Sequence, residues 1–196
     1  MSIVCRFVAI LVCLPAIASA EVVSAVSASS GLIMAQISGY RDGQDSISKN
    51  FDVKWMSFRS RTFATVGEFQ VGLSSVFKAT QLMETRTGIQ YYPFAYGADF
   101  EDFHESTIMR YSSSLKPYLS AKVGYGRYLI SIVDSLGSAE VSSNYISLGG
   151  GLGTVYQFSQ SVGLDFNLDA SFAVGNSEVA FTGLMIRPRF GLLLYL

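Results

Sequence analysis

Along the second half of the chain, apolar and polar positions alternate with a period of two. Ile186, Pro188, Phe190, Leu192, Leu194 and Leu196 share one parity, while Arg187, Arg189, Gly191, Leu193 and Tyr195 share the other. The segment before it repeats the arrangement. Val162, Leu164, Phe166, Leu168, Ala170 and Phe172 oppose Gly163, Asp165, Asn167, Asp169 and Ser171. Upstream, Ile146, Leu148, Leu152, Tyr156 and Phe158 oppose Ser147, Gly149, Gly151, Gly153 and Gln157. Leu115, Pro117, Leu119, Ala121, Val123 and Tyr125 oppose Lys116, Tyr118, Ser120, Lys122, Gly124 and Gly126. Successive side chains of a β-strand point to opposite faces, so each run predicts a strand with one apolar face.

Two shorter runs behave alike. Phe69, Val71 and Leu73 oppose Glu68, Gln70, Gly72 and Ser74. Met83, Thr85, Thr87, Ile89 and Tyr91 oppose Glu84, Arg86, Gly88, Gln90 and Tyr92. Candidates at 31–41 and 51–63, whose register the pattern does not fix, bring the number of predicted strands to eight. No repeat of fixed length and no interdomain linker accompanies them. The expectation is one all-β domain.

The composition of the second face decides what surrounds the strands. A soluble sandwich turns charges to water, yet here that face is mostly Gly, Ser, Gln and Tyr. Charged residues are 15% of the chain and hydrophobic ones 49%, against about 25% charged in ordinary soluble domains. Beyond residue 20 no apolar run approaches the roughly 18 residues of a spanning helix. The chain is too apolar for disorder. Apolar faces five or six positions long suit lipid, small residues suit a cramped barrel interior, and lipid forces strands to close on themselves. Aromatics at segment ends (Tyr91, Tyr92, Phe94, Tyr156, Phe158 and Tyr195) fit an interfacial girdle. The fold-level rival is a soluble sandwich or lipocalin-like barrel.

Residues 1–20 read as a secretory signal peptide. Arg6 supplies the charge, 7–17 the apolar region, and Ala18-Ser19-Ala20 the cleavage site, with Val26-Ser27-Ala28 as a second possible cut. Removing 20 of the 196 residues leaves 176, including neither Cys5 nor Cys13, and 13 basic against 15 acidic residues. Disulfides, thiolate metal sites and thiol catalysis are therefore not expected, and no basic nucleic-acid patch is present. Residues 21–30 read as a lead-in and 31–196 as the barrel domain.

The signal segment, the stretch Leu115-Lys-Pro-Tyr-Leu-Ser-Ala-Lys-Val-Gly-Tyr-Gly126, the Gly149-Gly-Gly-Leu-Gly153 run and the alternating final strand resemble small bacterial outer-membrane β-barrels of the OmpA-like and OmpX-like eight-stranded group. The resemblance implies an eight-stranded antiparallel up-and-down barrel in the outer membrane, monomeric, surrounded by outer-membrane lipid and inserted by the barrel-assembly machinery. It departs at the terminus, which is Tyr195-Leu196 where the group usually ends in an aromatic, most often Phe.

With both ends periplasmic, 158–161 becomes a short periplasmic turn, and 129–143 and 174–178 become external loops. The connection 94–111 falls on the periplasmic side and is long for that side. Its Asp99, Glu101, Asp102 and Glu105 suggest a short acidic helix, or else a strand that the pattern misses. The lumen receives Glu68, Glu84, Arg86, Lys116, Lys122, Asp165, Asp169, Arg187 and Arg189. A hairpin turning near 175–178 sets Asp165 beside Arg187 or Arg189. Eight strands leave an interior filled by side chains, so these charges read as a structural plug. An ion path is the less favoured reading. Arg187→Ala is expected to lower thermal stability more than Ser177→Ala.

The single histidine, His104, has Glu105 and Ser106 beside it, but adjacency in sequence does not make a triad. Some small outer-membrane barrels modify lipid A at the outer leaflet, the opposite side from His104 in this topology. The acidic residues near it match no calcium-loop spacing. No catalytic residue, cofactor or metal is expected. The favoured role is structural or surface-interacting; the alternatives are a narrow transport or ligand-binding barrel and, third, a lipid-modifying enzyme.

Overall fold

A computed structural model describes residues 23–38, 44–74, 80–103, 106–110, 114–134, 137–176 and 180–196. All its regular elements are strands: β1 (Ser24–Ser38), β2 (Gln44–Ser60), β3 (Phe63–Ser74), β4 (Thr80–Tyr91), β5 (Phe100–Phe103), β6 (Ser106–Met109), β7 (Leu115–Asp134), β8 (Gly137–Gln157), β9 (Val162–Asn176) and β10 (Ala180–Tyr195). Eight of them close a barrel in the order β1-β10-β9-β8-β7-β4-β3-β2, and β5 and β6 form a separate two-stranded sheet. Every barrel pairing is antiparallel.

The alternation read from the sequence is the in-out alternation of this barrel. Phe166, Leu168, Phe172, Phe190, Leu192 and Leu194 are exposed on the outside, while Asp165, Asp169, Arg187 and Arg189 are buried within. The same parity holds on β3, β4, β7 and β8. Charge occurs at outward positions in Lys49, Arg59 and Arg127 among the described barrel side chains.

Several boundaries differ from the pattern. Residues 24–30, taken for a lead-in, are the first half of β1, paired with both β2 and β10. Their small side chains, Ser, Ala and Val on both faces, conceal the alternation. The 129–143 region is not a loop: β7 and β8 stay paired out to Asp134 and Gly137. β7 leaves β4 at Tyr128 and β8 leaves β9 at Tyr145, so the hairpin runs on as a two-stranded ribbon beyond the barrel. A strand pair outside a closed sheet is under no requirement to alternate with a period of two. Among its described residues the 94–111 connection holds neither a helix nor a barrel strand. It folds as the β5–β6 hairpin, where Phe100, Phe103, Thr107 and Ile108 favour the extended backbone over the helix suggested by the acids. Residues 1–22, His104, Glu105, Ser177 and Glu178 lie outside the described residues.

The lumen is stratified. At the near end, where Val23 and Tyr195 meet, Met56, Phe58, Tyr92, Tyr118 and Leu193 form an apolar layer with Ala98. At the far end Ile33, Leu82, Tyr128, Tyr145 and Met185 form another. Charged side chains occupy the space between.

Candidate functional site

The charged band is built by neighbouring strands whose inward positions face one another. Cross-strand partners include Glu68 with Arg86, Lys54 with Glu68, and Asp169 with Arg187. Its centre is a six-residue cluster. Arg86 bridges Glu68, and its Nη2 lies 3.0 Å from Asp169 Oδ2. Lys122 Nζ sits 2.9 Å from both Glu68 Oε2 and Asp169 Oδ2. Arg189 bridges Glu68 and Asp169, and its Nη1 lies 3.1 Å from Asp52 Oδ2. Three acids, Asp52, Glu68 and Asp169, thus meet three bases, Arg86, Lys122 and Arg189, and the cluster is neutral. All six are buried.

Two further ion pairs flank it. Arg187 Nη2 contacts Glu84 Oε2 at 2.8 Å, and Arg187 Nη1 donates to Ser171 Oγ at 2.5 Å. Lys54 bridges Asp165. Tyr118 Oη donates to Asp165 Oδ1 at 2.7 Å and accepts from Asn167 Nδ2 at 3.0 Å. Arg189 Nη2 donates to Asn167 Oδ1 at 2.7 Å. The Lys54–Asp165 pair is in this way joined to the central cluster through a continuous chain of hydrogen bonds.

Glycines on β8 make room for these groups. A Cβ on Gly151 would collide with the Asp169 carboxylate, and one on Gly153 with the Tyr118 ring. Gly151 and Gly153 are therefore the part of the inner wall against which the network packs.

Glu68, Glu84, Arg86, Lys122, Asp165, Asp169, Arg187 and Arg189 all lie in this band. Lys116 does not. It is buried at the near end, where Nζ donates to Gln157 Oε1 at 2.6 Å and to the Gly97 carbonyl at 3.4 Å. The hairpin register also differs from the expected one. Asp165 faces Gly191, Arg189 faces Asn167, and Arg187 faces Asp169. The expected register was slipped by at least one pair, because residues 177–179 left the turn length undetermined by pattern alone. Asp52 and Lys54 are two members the sequence reading missed. Their signal was present in Phe51-Asp52-Val53-Lys54-Trp55, which alternates as cleanly as the later strands.

The near end is closed by the chain segment after β4. Tyr92 and Ala98 are fully buried, and Tyr92 packs against Phe58 and Tyr118. Tyr92 Oη accepts from Gln90 Nε2 at 2.6 Å. Burial pushes the Tyr92 phenol well above its ordinary pKa, which keeps it neutral in that layer. The Gly97 carbonyl accepts from Tyr195 Oη at 2.9 Å, and Arg61 bridges Asp99 at 3.6 Å across the outside. Tyr92 and Tyr195, expected in the interfacial girdle, point inward instead, whereas Tyr91, Phe94, Tyr156 and Phe158 are exposed. Among the described residues no group of His, Cys, Asp and Glu is arranged to hold a metal.

Together these features define an eight-stranded antiparallel barrel with an apolar exterior and a filled, ion-paired interior. The same fold is found in Neisserial surface protein A, whose crystal structure matches with a TM-score of 0.55 at 15% identity, covering 87% of this chain and 96% of that one. The N-terminal β-barrel domain of Pseudomonas aeruginosa OprF gives a TM-score of 0.48 at 12% identity, covering 90% and 100%. Outer membrane protein OprG of Pseudomonas aeruginosa gives 0.46 at 11%, covering 89% and 96%. No family model and no curated protein matches the sequence.

Proposed function

We propose that the protein is an integral outer-membrane β-barrel, non-enzymatic and monomeric, with a structural or surface-interacting role and a sealed lumen. One observation carries this reading: the barrel is inverted relative to a soluble protein. Its outer surface bears Phe51, Trp55, Leu119, Leu148, Phe166, Leu192 and their neighbours, while ten ion-paired charges are inside. In water that surface would be one continuous exposed apolar patch, far beyond what soluble monomers carry. In lipid it is the expected surface, and closure of the sheet gives every barrel strand a partner on both edges. Each barrel strand has 12 residues or more, enough for a tilted crossing of about 9–11 residues.

In this orientation the near end, with β5 and β6, lies in the periplasm, and the β7–β8 ribbon projects outside the cell. A cut after Ala20 leaves β1 whole, whereas a cut after Ala28 would remove part of it. The lipid around the barrel and the assembly machinery that inserts it are the partners this reading requires. The two apolar layers and the neutral band support a plug over an ion path. Purified protein in planar lipid bilayers is expected to give no conductance steps, and the protein should stay with membranes until detergent is added. Steps of reproducible size would establish the transport alternative instead.

A further inference from the structure

The outer face of β2, β3, β4 and β7 carries a concave groove of about 1000 Å³. Its floor is made by Thr65, Gly67, Thr85 and Thr87, and its walls by larger side chains, among them Trp55 and Phe69. Register explains the shape. Gly67 and Thr87 lie between Trp55 and Val123, and Thr85 between Phe69 and Tyr125, so two rows of small residues run between larger side chains. A Cβ added to Gly67 would meet nothing within 4 Å, so that position opens directly outward. The floor is apolar despite its threonines. Thr65 Oγ1 donates to the Ser57 carbonyl at 3.3 Å and Thr87 Oγ1 to the Val66 carbonyl at 3.2 Å, which turns these two hydroxyls to the backbone and their methyl groups to the groove.

One end of the groove is cationic. Arg127, exposed on β7, lines it together with Asn144, its cross-strand partner on β8. Arg127 Nη2 donates to the Ser142 hydroxyl at 2.7 Å, a neutral acceptor that positions the guanidinium without cancelling its charge. The opposite end holds Arg59.

We infer that this groove is a binding site for an anionic, phosphate-bearing membrane lipid, with one acyl chain on the threonine–glycine floor and the phosphate at Arg127. The inference rests on the membrane reading above. An apolar trough of this volume accommodates a chain of drug-like size or longer, and a planar guanidinium is suited to phosphate. A second copy of the chain fits less well. Two copies in one membrane share an orientation, so a symmetric pair meeting at this face would set Arg127 near Arg127 and Arg59 near Arg59.

Trp55, the only tryptophan of the chain, stands in the groove wall and reports its occupant. The full-length protein is reconstituted in phosphatidylcholine vesicles containing a fixed fraction of either brominated-chain phosphatidylglycerol or brominated-chain phosphatidylcholine. The anionic probe is expected to quench Trp55 with an apparent affinity about fivefold higher than the neutral one. Arg127→Ala and Gly67→Leu should each abolish that preference, and Arg59→Ala should keep it. Equal quenching by the two lipids in the wild-type protein overturns the inference, as does a preference that follows Arg59 rather than Arg127. Quenching by neither, with cross-linked dimers, assigns the groove to a second copy and also overturns it. Failure of the membrane reading looks different: the protein would then not enter the vesicles at all.

Discussion

Arg189 touches three carboxylates, Asp52, Glu68 and Asp169, more than any other base among the described ion pairs. Removing one partner of a buried ion cluster leaves charge that neither water nor protein compensates, typically costing about 3–5 kcal/mol. Arg189→Ala should therefore lower the unfolding midpoint in detergent far more than Lys49→Ala on the exposed face. Similar midpoints for the two variants would mean that the network is not a stabilising plug. Gln70 presents the opposite case. It is fully buried and neither amide atom has a hydrogen-bond partner. An unsatisfied buried polar group costs about 1–3 kcal/mol, so Gln70→Met, which removes the amide at nearly constant volume, is expected to raise the midpoint. A lower midpoint would show that the amide is satisfied after all. At this scale the sequence disclosed which charged side chains of β3, β4 and β7 to β10 face inward, since parity alone determines it. It did not disclose which acid meets which base. Asp165 finds Lys54, 111 residues away, because barrel closure brings β2 and β9 across the lumen from each other.

Strands with one apolar outer face and one face in the lumen were legible from their alternation. Those that departed from it did so for identifiable reasons. The start of β1 has small residues on both faces, and the far halves of β7 and β8 pair only with each other, beyond the closed sheet. The closing seam between β1 and β10 holds a further irregularity. Its register passes from Gly31–Arg189 to Met34–Ile186 without pairing Leu32 and Ile33, while the β9–β10 ladder is continuous through Pro188. The Pro188 carbonyl lies against Gly31, so the residue's ladder side faces β1, where proline offers no N–H. Pro188→Val supplies that donor and a residue favoured in strands. It should stabilise the seam by about 1 kcal/mol, visible as slower amide exchange in β1. Unchanged exchange there would show that the seam is not limited by the missing bond.

For the whole molecule, the decisive arrangement is the order of layers along the barrel axis: rings, charges, then a second apolar layer. The near-end layer depends on Tyr92, which the segment after β4 brings under the barrel. Tyr92→Ala is expected to loosen that end, so that Trp55 emission stays unchanged while the Tyr118 and Tyr195 rings gain solvent, seen as their nitration by tetranitromethane added to the folded protein. Unaltered nitration of the two rings would count against Tyr92 as the seal. By itself the sequence determined a series of strands with one apolar face and one polar or small face, because a period of two is a local property of the backbone and needs no knowledge of partners. Tertiary structure alone decided the register of each pair, the partners of each charge, the inward turn of Tyr92 and Tyr195, and the groove beside Trp55. Each of these depends on how strands distant in sequence are brought together when the sheet closes, and closure aligns residues that no local pattern relates.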